Sequence, residues 1–257
     1  ALAQAGGPAM PDALSGIGAV VSTQLLSRIV TFVLNVLVAR FAVPSDYGVG
    51  YVSFQLFSNL SLFLTKEGFR KVALRSEDSQ AASGTDGEKG EDLRSSLNLA
   101  WGGAGVALLV TAPLAVHWTL SAPSSAPATY YVAVALMAAS SILEAAAEPL
   151  VVQALKAFDF RSRALAEGAA IMAKTLALLA LTVLLGDLPL AFAASQLLYS
   201  LVWGAWFAHS HAVAWPRRLD SGSLALPFHR ELLAEFSGMV LLKLALTEGE
   251  KLLLLTL

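Results

Sequence analysis

The sequence predicts an all-α protein: a polytopic transmembrane helical bundle, one six-helix lobe plus the start of a seventh helix. Three observations carry this. Hydrophobic residues make up 56% of the chain and charged residues only 14%, where a soluble domain carries about a quarter charged. Mean hydropathy is +0.65, although one very polar loop is included. Six stretches reach the roughly 20 apolar residues that a spanning helix needs, and a seventh begins before the chain stops.

The first span covers 14–43 and carries Gln24, Arg28, Thr31 and Asn35 at i, i+4, i+7 and i+11. That spacing gathers them on one helix face, with Ile29, Phe32, Val33 and Leu34 filling much of the rest. An arginine at membrane depth faces a protein or water interior, because exposure to lipid costs several kcal/mol. The stripe therefore predicts an aqueous cavity. The second span, about 47–65, adds Gln55, Ser58, Asn59 and Ser61. The third, about 97–120, holds Gly102, Gly103 and Gly105, where close helix packing is expected. The fourth (about 129–155), fifth (164–185) and sixth (188–212) follow, and the seventh starts near residue 232.

This divides the chain into an N-terminal tail (1–13), a first lobe (14–215), a linker (216–231) and the opening helix of a second lobe (232–257). The chain begins at Ala1 and closes inside an apolar run, as a fragment would. Basic residues fix the orientation. Lys66, Arg70, Lys71, Arg75, Lys89 and Arg94 fill one loop, Lys156, Arg161 and Arg163 the next on that side, and Arg217, Arg218 and Arg230 the third. The opposite side has Arg40 alone. The bias places the N-terminus in the cytosol. Within the first of these loops, the small and acidic residues from Ser76 onward predict a disordered segment over 76–95, with an acidic docking patch as the functional alternative.

Glu144, Glu148, Lys174 and Lys243 join Arg28 inside predicted spans. Facing lipid, the five would cost on the order of 12–17 kcal/mol, more than a fold has to spare, so they must converge on an interior. Glu144 and Glu148 share a face, and Pro149 predicts a kink beside them. Counting the rise per residue, Glu144 and Lys174 reach similar depth, which makes an ion pair between the fourth and fifth spans geometrically possible. The set reads either as a structural network that fixes helix packing or as a cationic cavity for an anionic headgroup.

Several classes are excluded or left without support. The chain has no cysteine, so disulfides, thiolate catalysis and cysteine-held metals are out. A net charge of −2 offers no basic field for nucleic acid. No nucleophile elbow, Walker loop or His-x-Glu metal pair occurs, and no enzymatic activity, cofactor or metal is expected. His209 and His211 read as interfacial rather than metal-binding.

Three stretches, RIVTFVLNVLVARF (from Arg28), LTKEGFRKVALRS (from Leu64) and LLKLALTEGEK (from Leu241), resemble the Rft1 family of endoplasmic-reticulum membrane proteins. EAAAEPLVVQALKAFDFRSRALAEG (from Glu144) fits the same family. The resemblance implies two six-helix lobes about a pseudo-twofold axis, of which this chain covers the first and the opening helix of the second. It implies a multi-pass protein of the endoplasmic-reticulum membrane that handles a dolichyl-diphosphate-linked oligosaccharide, Man5GlcNAc2, made on the cytosolic leaflet and needed on the lumenal one for N-linked glycosylation. On that reading Arg28, Lys174 and Lys243 supply cavity cations, Asn35 with Gln24, Gln55 and Asn59 faces sugars, and Glu144, Glu148 and Glu248 are cavity carboxylates. Lys66, Arg70 and Lys71 lie at the cytosolic mouth, where they collect the diphosphate or anchor the helix end on anionic membrane lipid. Two alternatives stand beside this: a non-transporting accessory factor of N-glycosylation, and a cation-coupled multidrug exporter of the same fold, which Glu144 and Glu148 would serve as proton relays.

Overall fold

A computed structural model describes residues 25, 28–41, 44–75, 86–122, 126–211, 215–219, 224 and 227–256. The expected N-terminal tail, Gln24 and the loop residues 76–85 lie outside the described residues, as do the side chains of Lys89 and Lys251. Among the described residues there is no strand. Helix α1 covers 28–41. A second rod is right-handed throughout but built in pieces: α2 (Pro44–Gly48), a π segment (Val49–Phe54), α3 (Gln55–Phe63), a second π segment (Leu64–Phe69) and α4 (Arg70–Ala73). Then follow α5 (Asp86–Leu120), α6 (Ala128–Ala146), α7 (Glu148–Lys156), α8 (Phe160–Leu185), α9 (Leu188–Ser210) and α10 (Pro227–Thr256).

Four described helices are long and apolar enough to cross a membrane: Gly90–Leu120, Ala128–Lys156, Phe160–Leu185 and Leu188–Ser210. The second rod is apolar but interrupted by its π segments, and α10 carries several charges along its length.

The local breaks follow from chemistry. Pro149 has no amide hydrogen and cannot continue the ladder of α6, so the helix turns at Ala147 and restarts at Glu148. Gly186 ends α8 at φ 67°, where a side chain would be strained. Asp187 then caps α9 by accepting from the Leu190 amide at 3.0 Å. Asp159 does the same for α8, accepting from the Ser162 amide at 3.0 Å.

Lipid is as apolar as the side chains, so packing density and small residues hold such helices together. Ala133, Ala145, Ala154, Ala166, Ala170, Ala191 and Ala193 are all buried at the contacts. Phe54, Phe57, Trp118, Met137 and Phe192 form one core cluster, and Val151, Trp203 and Phe207 anchor another. Of the three glycines predicted to pack closely, Gly103 does so most tightly. A Cβ there would lie 2.9 Å from the Phe69 Cβ, and the Gly103 carbonyl accepts from Thr65 Oγ1 at 2.8 Å. A Cβ on Gly102 would reach the Phe69 ring at 3.5 Å, and one on Gly105 meets nothing within 4 Å.

The expected disordered segment is corrected at its C-terminal end, because α5 begins at Asp86. Residues inside the C-terminal part of that segment have partners that offset the cost of ordering it. Lys156 donates to Asp92 at 2.5 Å, Ser95 bonds the Nδ1 of buried His229 at 2.7 Å, and His229 Nε2 donates to the Arg75 carbonyl at 3.0 Å. Asn98 donates to the carbonyls of Arg217 and Leu224, at 2.6 and 2.8 Å. The linker and the start of α10 are thereby tied to α5.

Candidate functional site

One face of the second rod repeats polar side chains at helical spacing: Tyr51, Gln55, Ser58, Asn59 and Lys66. That face forms one wall of a cavity of about 570 Å³. From Tyr51 to Glu67 the wall runs about 24 Å at the usual helical rise. Facing walls come from α1 (Thr31, Asn35), α6 (Glu144), α8 (Ile171, Lys174, Thr175, Leu178), α9 (Phe192, Gln196, Tyr199) and α10 (Lys243, Thr247, Glu248). The opposite face of α1, with Ile29, Phe32, Val33, Val36 and Phe41, is exposed as a lipid-facing surface is.

Amides and hydroxyls are ordered into a chain along the wall. Tyr51 donates to Asn35 Oδ1 at 3.2 Å, Gln55 to Asn59 at 3.0 Å, and Asn59 in turn to Glu248 at 2.9 Å. Lys174 donates to Gln196 Oε1 at 2.5 Å and sits 4.8 Å over the Phe192 ring. Beneath Gln196, its backbone carbonyl accepts from Ser140 at 3.1 Å and from Ser200 at 3.2 Å, which pins α6 to α9 at this level.

Charges pair in a pattern the spacing alone did not disclose. Lys66 donates to Glu144 at 2.5 Å, and Arg70 donates from Nε to Glu148 at 2.7 Å with a second bond from Nη2. Both carboxylates are buried, 2% and 1% exposed. Glu144 therefore pairs with the second rod and not with Lys174. The packing is consistent with this: α9 lies against both α6 and α8 while the rod's α3 packs directly on α6, so Lys66 meets Glu144 although Lys174 lines the same cavity. Glu148 is held outside the cavity lining, while Glu144 and Glu248 line it.

At the other end of the wall, Lys71 and Lys243 both donate to Glu67 Oε2, at 2.5 and 2.8 Å. Glu67 lies past Thr65, beyond the apolar stretch. Its hydrogen bond from Lys243, then that from Lys71, holds its carboxyl below the usual carboxylate range against the effect of partial burial.

The expected site residues thus separate. Asn35, Lys66, Glu144, Lys174, Lys243 and Glu248 line one cavity. Arg70 and Lys71 lie beside it in ion pairs. Arg28 is exposed and is not among the lining residues. Among the described residues, Lys174 is the lining cation whose hydrogen-bond partner is neutral. Tyr51, Glu67, Gln196 and Tyr199 were not singled out from sequence. Tyr51 precedes Gln55 by one turn on the same face, and Gln196 stands out as an amide in an apolar span, so both carried a signal. Among the described residues no three His, Cys, Asp or Glu side chains converge to hold a metal.

The sequence model of the Rft protein family matches residues 12–257. A relative from Dictyostelium discoideum, named a Man(5)GlcNAc(2)-PP-dolichol translocation protein, is 28% identical over 75% of this chain and 35% of its own length. Proteins of the same name from Eremothecium gossypii and Mus musculus are 32% and 27% identical, over 60% and 70% of this chain and 28% and 32% of their own lengths. The chain spans about a third of the length of the curated relatives it matches. No solved structure matches it significantly. The chain belongs to the Rft protein family.

Proposed function

We propose that this chain forms the first lobe of a protein that moves a dolichyl-diphosphate-linked oligosaccharide between leaflets of the endoplasmic-reticulum membrane, for N-linked glycosylation. In this reading the lobe has six spans, α10 opens the second lobe, and the N-terminus is cytosolic. The observation that carries it is the cavity: a polar interior inside an apolar exterior, with Lys174 held by a neutral amide among Asn35, Gln55 and Asn59. A diphosphate suits an ammonium not already bound to a carboxylate, and sugar hydroxyls suit amide walls. The polyprenyl tail stays in lipid. A volume of about 570 Å³ is that of a pocket for a drug-sized ligand, so this lobe encloses the diphosphate and the first sugars while the remaining chain completes the space. The protein is a carrier and not an enzyme on this view.

The accessory, non-transporting reading has one observation in its favour. Glu144 and Glu148 are each held by a cation of the second rod, which is what a purely structural network would show. Leaflet exchange separates the two. With the full-length protein in proteoliposomes, labelled dolichyl-diphosphate oligosaccharide should exchange leaflets, and Lys174→Gln should lower the rate at unchanged protein level. A well-folded protein that binds the lipid yet gives no exchange would establish the accessory reading.

A further inference from the structure

The second π segment, Leu64–Phe69, directs consecutive side chains at three different helices. Thr65 reaches α5, Lys66 reaches α6, and Glu67 reaches α10. Such π turns cluster at functional sites because they offset a helix's register. Here the offset brings the Glu67 carboxylate to the edge of the cavity, where it spans the seam between the second rod and α10. Lys71 and Lys243 converge on a single oxygen of it, Oε2. Two ammoniums on one oxygen bring two positive charges together over a single negative one, whereas a phosphate-bearing anion offers each its own oxygen and more charge. Both lysines are half-exposed at the mouth, so an anion reaches them without burial.

We infer that Glu67 is an internal anion that competes with a phosphate-class ligand for Lys71 and Lys243, so that the ligand's arrival loosens α10 from the second rod at this point of the seam. This rests on the transport reading and deepens it. The carboxylate latches the seam when the cavity is empty, and the ligand opens it by substitution. The same seam is tied on one side of Glu67 by Asn59 with Glu248 and on the other by Arg75, whose carbonyl accepts from His229 and whose guanidinium lies over the Phe236 ring, which makes the motion a local loosening around Glu67. Ligands with the required chemistry are a lipid-linked diphosphate, an ordinary anionic phospholipid headgroup or free pyrophosphate.

The chain has no cysteine, so Leu74→Cys with Met239→Cys places two spin labels at exposed positions, one at the C-terminal cap of the rod and one on α10. The full chain is placed in phosphatidylcholine nanodiscs and titrated with inorganic pyrophosphate. The expected result is a shift of the label distances to longer values. Glu67→Gln, whose neutral amide holds the lysines only weakly, should start from a partly lengthened distance and reach its midpoint at roughly fivefold lower pyrophosphate, the effect of losing one exposed ionic competitor. Lys243→Gln should show the longer distance without pyrophosphate, and Lys243→Arg should retain the titration. A distance indifferent to pyrophosphate, or a midpoint unchanged in Glu67→Gln with normal thermal unfolding, overturns the inference. Repeating the measurement with phosphatidylserine discs, and with dolichyl-diphosphate oligosaccharide in phosphatidylcholine, tells which source opens the seam. If leaflet exchange by the full-length protein persists in a Glu67→Gln form with an unchanged midpoint, the latch fails and transport stands. A working latch without exchange sinks transport alone.

Discussion

Arg70 and Glu148 form the rung adjacent to Lys66 and Glu144. Each pair is 78 positions apart, and each member of the first lies four residues beyond its counterpart in the second. The second rod and the fourth span therefore run parallel and match charge one turn at a time. Arg70 grips Glu148 from two nitrogens, a geometry that lysine cannot reproduce. Arg70→Ala leaves a carboxylate 1% exposed without its cation, at a cost of about 3–5 kcal/mol, and Arg70→Lys recovers only part of it. Thermal unfolding in detergent checks this. The double variant Arg70→Met with Glu148→Leu should regain most of the loss, since an apolar pair of similar size removes both buried charges.

Lys66 and Lys174 line the same cavity but should respond in opposite ways. Lys66→Gln strands Glu144 and lowers the unfolding temperature. Lys174→Gln leaves an amide opposite the Gln196 amide, which can bond to it, so stability holds while affinity for pyrophosphate falls. Comparing unfolding with pyrophosphate binding in both variants tests the assignment. Equal stability loss in the two would place Lys174 in the structural network.

Gly103 and Gly105 are two residues apart, about 200° around α5, and should differ in sign. A Cβ at 103 lies 2.9 Å from the Phe69 Cβ and 3.3 Å from Thr65 Cγ2. Gly103→Ala must push α5 off the second rod, at about 1–3 kcal/mol. Gly105→Ala meets open space and removes a flexible residue from a helix, which is neutral to stabilising. Unfolding temperatures of the two single variants decide it.

Acid should loosen the seam between α10 and the second rod. The Glu67 carboxyl is held below its usual range by Lys243 and Lys71, so its folded value is lower than its unfolded one. Its contribution is present above the unfolded value, about 4.3 for a glutamate, and is lost as pH falls from there through the lowered folded value. The label separation between positions 74 and 239 should lengthen over that acidic window and stay constant around neutral pH. In Glu67→Gln that transition should vanish.

Much about this protein was determined locally and is legible in the sequence. The membrane class follows from runs of apolar residues that no soluble fold could cover. Family membership follows from contiguous motifs such as LTKEGFRKVALRS. The break at Pro149 and the close contact at Gly103 follow from a missing amide hydrogen and a missing side chain, which act wherever the residue stands. Partner choice was decided only in three dimensions. Glu144 has Lys66 and not Lys174 as its ion-pair partner because the second rod packs directly on α6. Arg28, on the predicted stripe, is exposed while Thr31 and Asn35 of the same stripe reach the cavity. Lys71 and Lys243, 172 positions apart in the numbering, share one oxygen of Glu67 because a π segment rotates that carboxylate toward α10. Periodicity along one helix says which side chains share a face. Which helix that face meets is set by the packing of all the others, and the ion pairs follow from it.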